Sequence, residues 1–337
     1  MNTINHWDKF AEFCKYELAS GGPDPQIKMV AKMSEKEEWT ERLWRVGCYI
    51  AVYNVPFAEV LWQQLSYERV KRAGVTVIGT WLFENWGKVV TRVERKTVRR
   101  PEWMYEYLYS YYQFITEGSL HRALKHCENM DSEERYLYFW DLTIKEIKRY
   151  GRYVALKTLE SYNLFCDIEL TAPDIRPKDG WSPRITLSVL FPQHEIELND
   201  NDNRWNPLVN EAVKQTQAKL LKKYGVEVNL FQLQVMLCEY RESYHSKKQY
   251  PGRSLDSELG YHQKVKNLWG RASNEMLVAR AKLFPHHHLG ELNGWLGTRK
   301  ECGQVLASHD YTWTDLLYSY NATFINDRFA NPVRWDE

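Results

Sequence analysis

Two aspartates in the segment 174–184, DIRPKDGWSPR, have the setting best suited to acid–base chemistry. Asp179 lies between Pro177 and Gly180, which bend the chain and place the aspartate at the start of a predicted helix. A carboxylate there can deprotonate an amine nucleophile or stabilise a cationic transition state. The same position also suits an N-cap that only accepts hydrogen bonds from free amides. Asp174 is the second catalytic candidate, and its alternative role is that of a turn residue after a proline.

A short turn at residues 147–153 is a candidate phosphate site. Three cations share it, Lys148, Arg149 and Arg152. Gly151 can take a turn conformation that costs a residue with a side chain more, and a helix is predicted after it. Because free amides at a helix N-terminus and nearby cations both attract anions, we predict that a DNA phosphate or a leaving pyrophosphate binds here. A solvated basic turn between two helices is the alternative.

The segment 47–59, GCYIAVYNVPFAE, carries candidates for a base pocket, Tyr49, Tyr53 and Asn54, near a predicted helix break at Pro56. An amide can read the Watson–Crick edge of an extruded pyrimidine, and a tyrosine can stack on it. Aromatic residues at this spacing also suit a hydrophobic core.

A second basic segment, 238–258, interleaves cations with tyrosines. Its candidate binding residues are Arg241, Lys247 and Arg253. Cations and aromatic rings together suit a nucleic-acid strand or a pyrophosphate, and a solvated charged loop is the alternative. The most cationic run, KVVTRVERKTVRR at 88–100, fits a solvated helix face first and a DNA-backbone contact second.

The order of helix, glycine turn, helix and aspartate-bearing loop across residues 144–183 resembles the helix-hairpin-helix DNA glycosylases. In that family the hairpin binds DNA backbone and a downstream aspartate acts on a flipped base, a position that Asp179 matches here. The chain departs from the pattern in two ways: Arg149 stands at the hairpin's usual first glycine, and the spacing to the aspartate is longer. Tyr153 stands where bifunctional members carry a Schiff-base lysine, which argues against lyase chemistry by that route.

A wider resemblance covers most of the chain. The phage alpha-glutamyl/putrescinyl thymine pyrophosphorylases, also called amino acid:DNA transferases, are similar to this sequence at 43–62, 151–162, 174–184 and 237–261. The resemblance implies double-stranded DNA bearing 5-hydroxymethyluracil pyrophosphate as substrate and an amino acid or polyamine as co-substrate. Pyrophosphate would be released from a flipped base, no cofactor is expected, and a phage-encoded enzyme would act in the host cytoplasm.

Apolar residues recur at three- and four-residue intervals along most of the chain, which predicts a mostly α-helical fold. The resemblance adds a helix-hairpin-helix, DNA-glycosylase-like core with helical elaborations. Helices are predicted to begin at Ser132, which would cap an acidic first turn, and at Pro56 and Pro101. Gly151 and Gly225 are predicted at helix ends.

Two local predictions concern shorter segments. The run 75–83, VTVIGTWLF, has the β-branched residues of a strand but also fits a helix. Lys157, one helical turn after the hairpin, is expected to pack or to pair with Glu160, three residues later on the same helix. No alternation of strands and helices with a glycine-rich loop indicates a Rossmann or P-loop fold.

Composition excludes several protein classes. The 337 residues are 44% hydrophobic, so a sizeable core is expected, and no apolar run approaches the length of a membrane span. The net charge of +1 means that any DNA-binding surface must be local. Six scattered cysteines without a CxxC pair indicate free thiols, and the run of adjacent histidines at 286–288 lacks the spacing of a metal site, so no metal is expected.

Three functions are compatible with these patterns. The first is base hypermodification by a DNA transferase, the second a monofunctional base glycosylase, and the third a non-enzymatic helical DNA-binding protein. In each case we expect residues 1–337 to form a single mostly helical unit, with two lobes as an open alternative. The hairpin and the catalytic loop would occupy 131–192.

Overall fold

The computed structural model describes residues 6–19, 24–88, 100–175, 181–195, 198, 207–246, 262–269 and 276. Within these residues the chain forms helices joined by turns and loops, and no strand occurs in them. The prediction of a mostly α-helical fold is therefore confirmed. In the same residues, no helix is both long enough and apolar enough to cross a membrane.

The helices follow one another in short steps. Their bounds are α1 His6–Ala19, α2 Pro25–Ser34, α3 Trp39–Val52, α4 Val55–Gln64, α5 Tyr67–Ala73, α6 Thr76–Asn85, α7 Pro101–Thr116, α8 Ser119–His126, α9 Ser132–Glu146, α10 Arg152–Phe165, α11 Trp181–Leu190, α12 Pro207–Tyr224, α13 Leu230–Ser246 and α14 His262–Trp269. Short 3₁₀ helices follow α6 at Trp86–Lys88 and α11 at Pro192–His194.

Helix packing divides into two groups. In the first, α3 lies at the centre and packs against α2, α4, α5, α7 and α10. Around it, α6 and α8 pack on α7, α9 packs on α10, and α14 packs on α4. In the second group, α11 packs against α12 and α13, and α1 joins these later helices. The groups meet where the rings of Tyr136 on α9 and Phe231 on α13 lie 5.8 Å apart.

Hydrogen-bonded tyrosines stabilise the centre of the first group. The hydroxyl of Tyr162 on α10 donates to the hydroxyl of Tyr111 on α7 at 2.9 Å. Tyr111 in turn donates to the carbonyl of Leu43 on α3 at 2.8 Å. Both rings are fully buried, so their hydroxyls need such partners. This chain of bonds fixes α10 relative to α7 and α3, and thereby fixes the turn that precedes α10.

Most helix boundaries follow the sequence signals. Proline occupies the first turn of α4 and of α7, and Gly225 follows α12 with a φ of 64°, as expected for a helix end. The ambiguous run 75–83 is helical from Thr76 onward, and Val75 is the residue before the helix. The prediction that Ser132 caps α9 is wrong by one residue: Asp131 is the cap, and its carboxylate accepts from the amides of Glu133 and Glu134 at 2.9 and 2.8 Å.

The cysteines that the structure describes are free thiols, as predicted. Cys14, Cys48, Cys127 and Cys166 are buried and Cys238 is partly exposed. Among the described residues, no three histidine, cysteine or acidic side chains come together as metal ligands. Cys302 and the histidines at 286–288 lie outside the described residues.

Candidate nucleic-acid interface

The turn between α9 and α10 has a left-handed residue, but it is not the one expected. Arg149 has a φ of 57°, whereas Gly151 is extended at φ −88° and ψ 170°. The prediction that Gly151 supplies the glycine-like conformation and ends a helix is therefore wrong; Gly151 is the residue before α10. A Cβ built on Gly151 would meet no atom within 4 Å. The described fold thus gives no steric or conformational reason for a glycine at position 151.

Contacts with α7 hold this turn in place. The amide of Lys148 donates to the hydroxyl of Ser110 at 2.9 Å. The Nε of Arg149 donates to Glu106 at 2.6 Å, and its guanidinium lies 4.9 Å from the ring centre of Trp103. These tertiary bonds explain how a non-glycine residue is kept in a conformation that costs about 1–2 kcal/mol.

The charges around the turn suit an anion. Lys148 and Arg149 are exposed and Arg152 is half-buried. Within the described part of the chain, neither Lys148 nor Arg152 has an ion-pair partner. The first turn of α10 has no acidic residue and no side-chain cap. Its amides and the nearby cations therefore suit an anion, although Glu106 partly neutralises Arg149, and phosphate binding here stays a prediction.

The structure brings one predicted base-pocket residue to the hairpin helix. Tyr53 follows α3 with a φ of 49°, and its hydroxyl lies 2.9 Å from that of Tyr153 in the first turn of α10. Tyr49 is fully buried and stacks on Tyr53 with ring centres 5.2 Å apart. Asn54 is buried, and its side-chain oxygen accepts from the amide of Phe57 at 3.2 Å as the N-cap of α4. Tyr49 and Asn54 thus have structural contacts here, and base recognition by the three residues stays a prediction.

Beneath Tyr153 lies a buried ionic cluster. Lys157, with only 1% of its side chain exposed, donates to Glu160 at 2.8 Å, which confirms their predicted pairing. It also pairs with Asp24, on the segment that precedes α2. Burial opposes the charge of Lys157, but the two carboxylates outweigh this effect and raise its pKa. Burial, aided by the charge of Asp24, raises the pKa of Glu160 to about 7.

Asp24 is the member of this cluster that the sequence analysis missed. An aspartate before a helix-starting proline is typical of an N-cap. Here Asp24 has a φ of 58°, makes no side-chain cap bond, and pairs instead with Lys157, 133 residues away. A local pattern carries no signal for such a distant pair.

The loop after α10 is attached far from the hairpin. The amide of Thr171 donates to the carbonyl of Ser132 at 3.0 Å, and the Ser132 hydroxyl donates to that of Thr171 at 2.8 Å. Ser132 begins α9, so this attachment lies about 20 Å along the helix axis from the hairpin. Asp174, half-buried, follows three residues later.

Several predicted site residues are not among those that the structure describes. Asp179, Lys247 and Arg253 lie outside the described residues. Arg241 belongs to α13, and its side chain is outside what the structure describes. The hairpin cations and the Tyr53–Tyr153 pair are thus the predicted elements that the structure brings together.

Comparison with known proteins gives no assignment. No family model matches the sequence, and neither a curated protein nor a solved structure is significantly similar to the chain.

Proposed function

We propose that this protein modifies DNA by transferring an amino acid or a polyamine onto the 5-methylene of pyrophosphate-activated 5-hydroxymethyluracil. The observation that carries the proposal is the α9–α10 turn. There, Arg149 is left-handed at the position where the helix-hairpin-helix motif has its first glycine. A conformation that normally favours glycine is kept although the sequence has lost the glycine, which supports a hairpin of this type.

The hairpin supplies the phosphate contact that such an enzyme requires. Lys148 and Arg152 lie beside the uncapped first turn of α10. Amides and cations of this kind bind DNA phosphates and set the protein's register without reading sequence. A base could then be extruded into the protein, and the Tyr53–Tyr153 pair is an aromatic group near this turn on which it could stack.

The reaction is a substitution at the exocyclic methylene carbon. The bond between this carbon and the pyrophosphate oxygen breaks, and a bond from the carbon to the amine nitrogen forms. The nitrogen gives up its proton to a carboxylate, for which Asp179 is the first candidate and Asp174 the second. Pyrophosphate departs as an anion, and cations near the hairpin would stabilise its charge.

One incubation tests this function against its alternatives. The protein is mixed with duplex DNA carrying pyrophosphorylated 5-hydroxymethyluracil and with a set of amines, and the DNA is digested to nucleosides for mass analysis. A nucleoside carrying the added amine, together with free pyrophosphate, supports the transferase. Release of a free base without any adduct would replace the proposal with a glycosylase. Binding without either product would favour a non-enzymatic DNA-binding protein.

A further inference from the structure

One face of α7 carries a line of side chains that leads from the hairpin to the start of the helix. Ser110 and Glu106 accept hydrogen bonds from the hairpin residues 148 and 149. Trp103 lies one turn further along, and Arg100 directly precedes the helix. Residues spaced three or four apart share a helix face, and ten residues extend about 15 Å. The hairpin and the N-terminal end of α7 therefore lie along one strip of the helix, in which Ser110 is buried and Glu106 and Trp103 are partly exposed.

Trp103 joins the two ends of this strip. Its ring centre lies 5.2 Å from the guanidinium carbon of Arg100 and 4.9 Å from that of Arg149. An aromatic face attracts a guanidinium through its quadrupole and restricts its orientation. Arg100 is exposed, and no acidic side chain of the described residues forms an ion pair with it. The positive charge of Arg100 is thus oriented by the indole but not neutralised.

We propose that Arg100, oriented by Trp103, binds a second phosphate of the DNA duplex that the hairpin holds. Phosphates of one strand follow each other at about 3.4 Å along the duplex axis, so a strip of about 15 Å covers roughly four steps. The inference rests on the proposed DNA-binding function and assigns α7 a part in it. Trp103 acts as a positioning residue because it fixes the arginine and does not need to touch DNA.

The test measures binding of an unmodified duplex of about 20 base pairs over a range of salt concentrations. Loss of one phosphate contact should reduce the salt slope by about 0.9 and weaken binding roughly five- to tenfold at 0.1 M salt. We expect this for Arg100→Gln and for Trp103→Leu, with recovery in Trp103→Phe, which keeps an aromatic face. Arg122→Gln is the matched control, since Arg122 is an exposed arginine on α8, beyond the opposite end of α7.

The outcomes separate this inference from the proposed function. Wild-type binding by folded Arg100→Gln, combined with weakened binding by Lys148→Gln/Arg152→Gln, would overturn the α7 contact and leave the hairpin contact in place. Wild-type DNA binding by Arg100→Gln and also by Lys148→Gln/Arg152→Gln would refute the proposed DNA contact at the hairpin. A third arm uses inorganic pyrophosphate as the probe. If Arg100→Gln lost pyrophosphate binding and kept DNA binding, the phosphate at Arg100 would belong to the leaving group, and the duplex contact would be refuted.

Discussion

Lys157 and Asp24 form a buried ion pair across 133 residues of sequence, with 1% and 8% of their side chains exposed. The pair joins α10, whose first turn belongs to the hairpin, to the chain entering α2. Glu160 completes a cluster of one cation and two carboxylates. The position of the hairpin helix in the first helical group therefore depends on a charge balance as well as on apolar packing.

Lys157→Met should be strongly destabilising. Methionine fills a similar volume but leaves Asp24 and Glu160 facing each other without a cation. Removing one partner from a buried ion cluster costs about 3–5 kcal/mol of unfolding free energy. Urea unfolding followed by circular dichroism gives this value directly.

The control for that experiment is Lys71→Met. Lys71 pairs with Glu68 at 3.5 Å on the surface of α5, where an ion pair is worth about 1 kcal/mol or less. Adding Asp24→Asn and Glu160→Gln to Lys157→Met should recover much of the loss, because the uncompensated charges disappear. If Lys157→Met lost no more unfolding free energy than the control, Lys157 would not be needed to balance the two buried carboxylates.

Glu160→Gln should change the pH dependence of stability. Burial raises the pKa of Glu160 to about 7, against an ordinary value of 4.5. Between these values the folded protein binds more protons than the unfolded chain, so the unfolding free energy contributed by Glu160 falls as pH rises. The variant cannot lose this proton, so it should match the wild type near pH 4.5 and exceed it by about 1–3 kcal/mol at pH 8.

Melting curves of the two proteins from pH 4.5 to 8 check this sign. The difference in stability between the variant and the wild type should grow as the pH rises from 4.5 to about 7 and then stay constant. Glu68→Gln, at an exposed site, should leave the difference from the wild type small at every pH. A variant that is less stable than the wild type at pH 8 would mean that the ionised Glu160 stabilises Lys157 more than burial opposes it.

Gly151→Ala should weaken DNA binding without lowering the stability of the fold. The backbone of Gly151 is extended and its surroundings are empty, so alanine should be tolerated and could add about 0.4–1 kcal/mol by restricting the unfolded chain. The new methyl group would lie beside the amides that the proposal gives to a phosphate. We expect an unchanged or higher melting temperature and several-fold weaker DNA binding.

Gly74→Ala provides the opposite case. Gly74 has a φ of 82°, so alanine there is strained and should lower stability by about 1–2 kcal/mol. Gly74 ends α5, away from the hairpin, and the folded variant should bind DNA as the wild type does. Equal DNA affinity in the wild type and Gly151→Ala would show that no DNA phosphate lies close to the backbone of this turn.

Local chemistry explains what could be predicted from the sequence. The 3.6-residue periodicity and the prolines of α4 and α7 act within a few residues, so they identified the helices and several starts. The pairing of Lys157 with Glu160 was predictable because the two residues share one helix face. The cap of α9 was misplaced by one residue because Asp131 and Ser132 are both good capping residues.

Tertiary contacts explain what could not be predicted. The left-handed residue of the hairpin is Arg149 and not Gly151, because Glu106 and Trp103 on another helix hold the arginine. Asp24 was missed because its partner is on a helix far along the chain. The structure adds one contact for Asn54, whose side-chain oxygen caps α4, and its reading of a base stays a prediction.

Asp179→Asn is the variant that tests the chemistry. Asparagine keeps the ability to cap a helix but removes the negative charge, so stability should fall by about 1 kcal/mol or less. Amine transfer should fall by roughly 100-fold or more, the scale expected for losing a positioned proton acceptor. DNA affinity should hold or rise, because a charge that repels phosphate is gone.

Melting temperature, DNA affinity and amine transfer are measured on the same preparation of Asp179→Asn, with Asp174→Asn in parallel. Normal transfer by folded Asp179→Asn, combined with loss of transfer in Asp174→Asn, would move the catalytic role to Asp174.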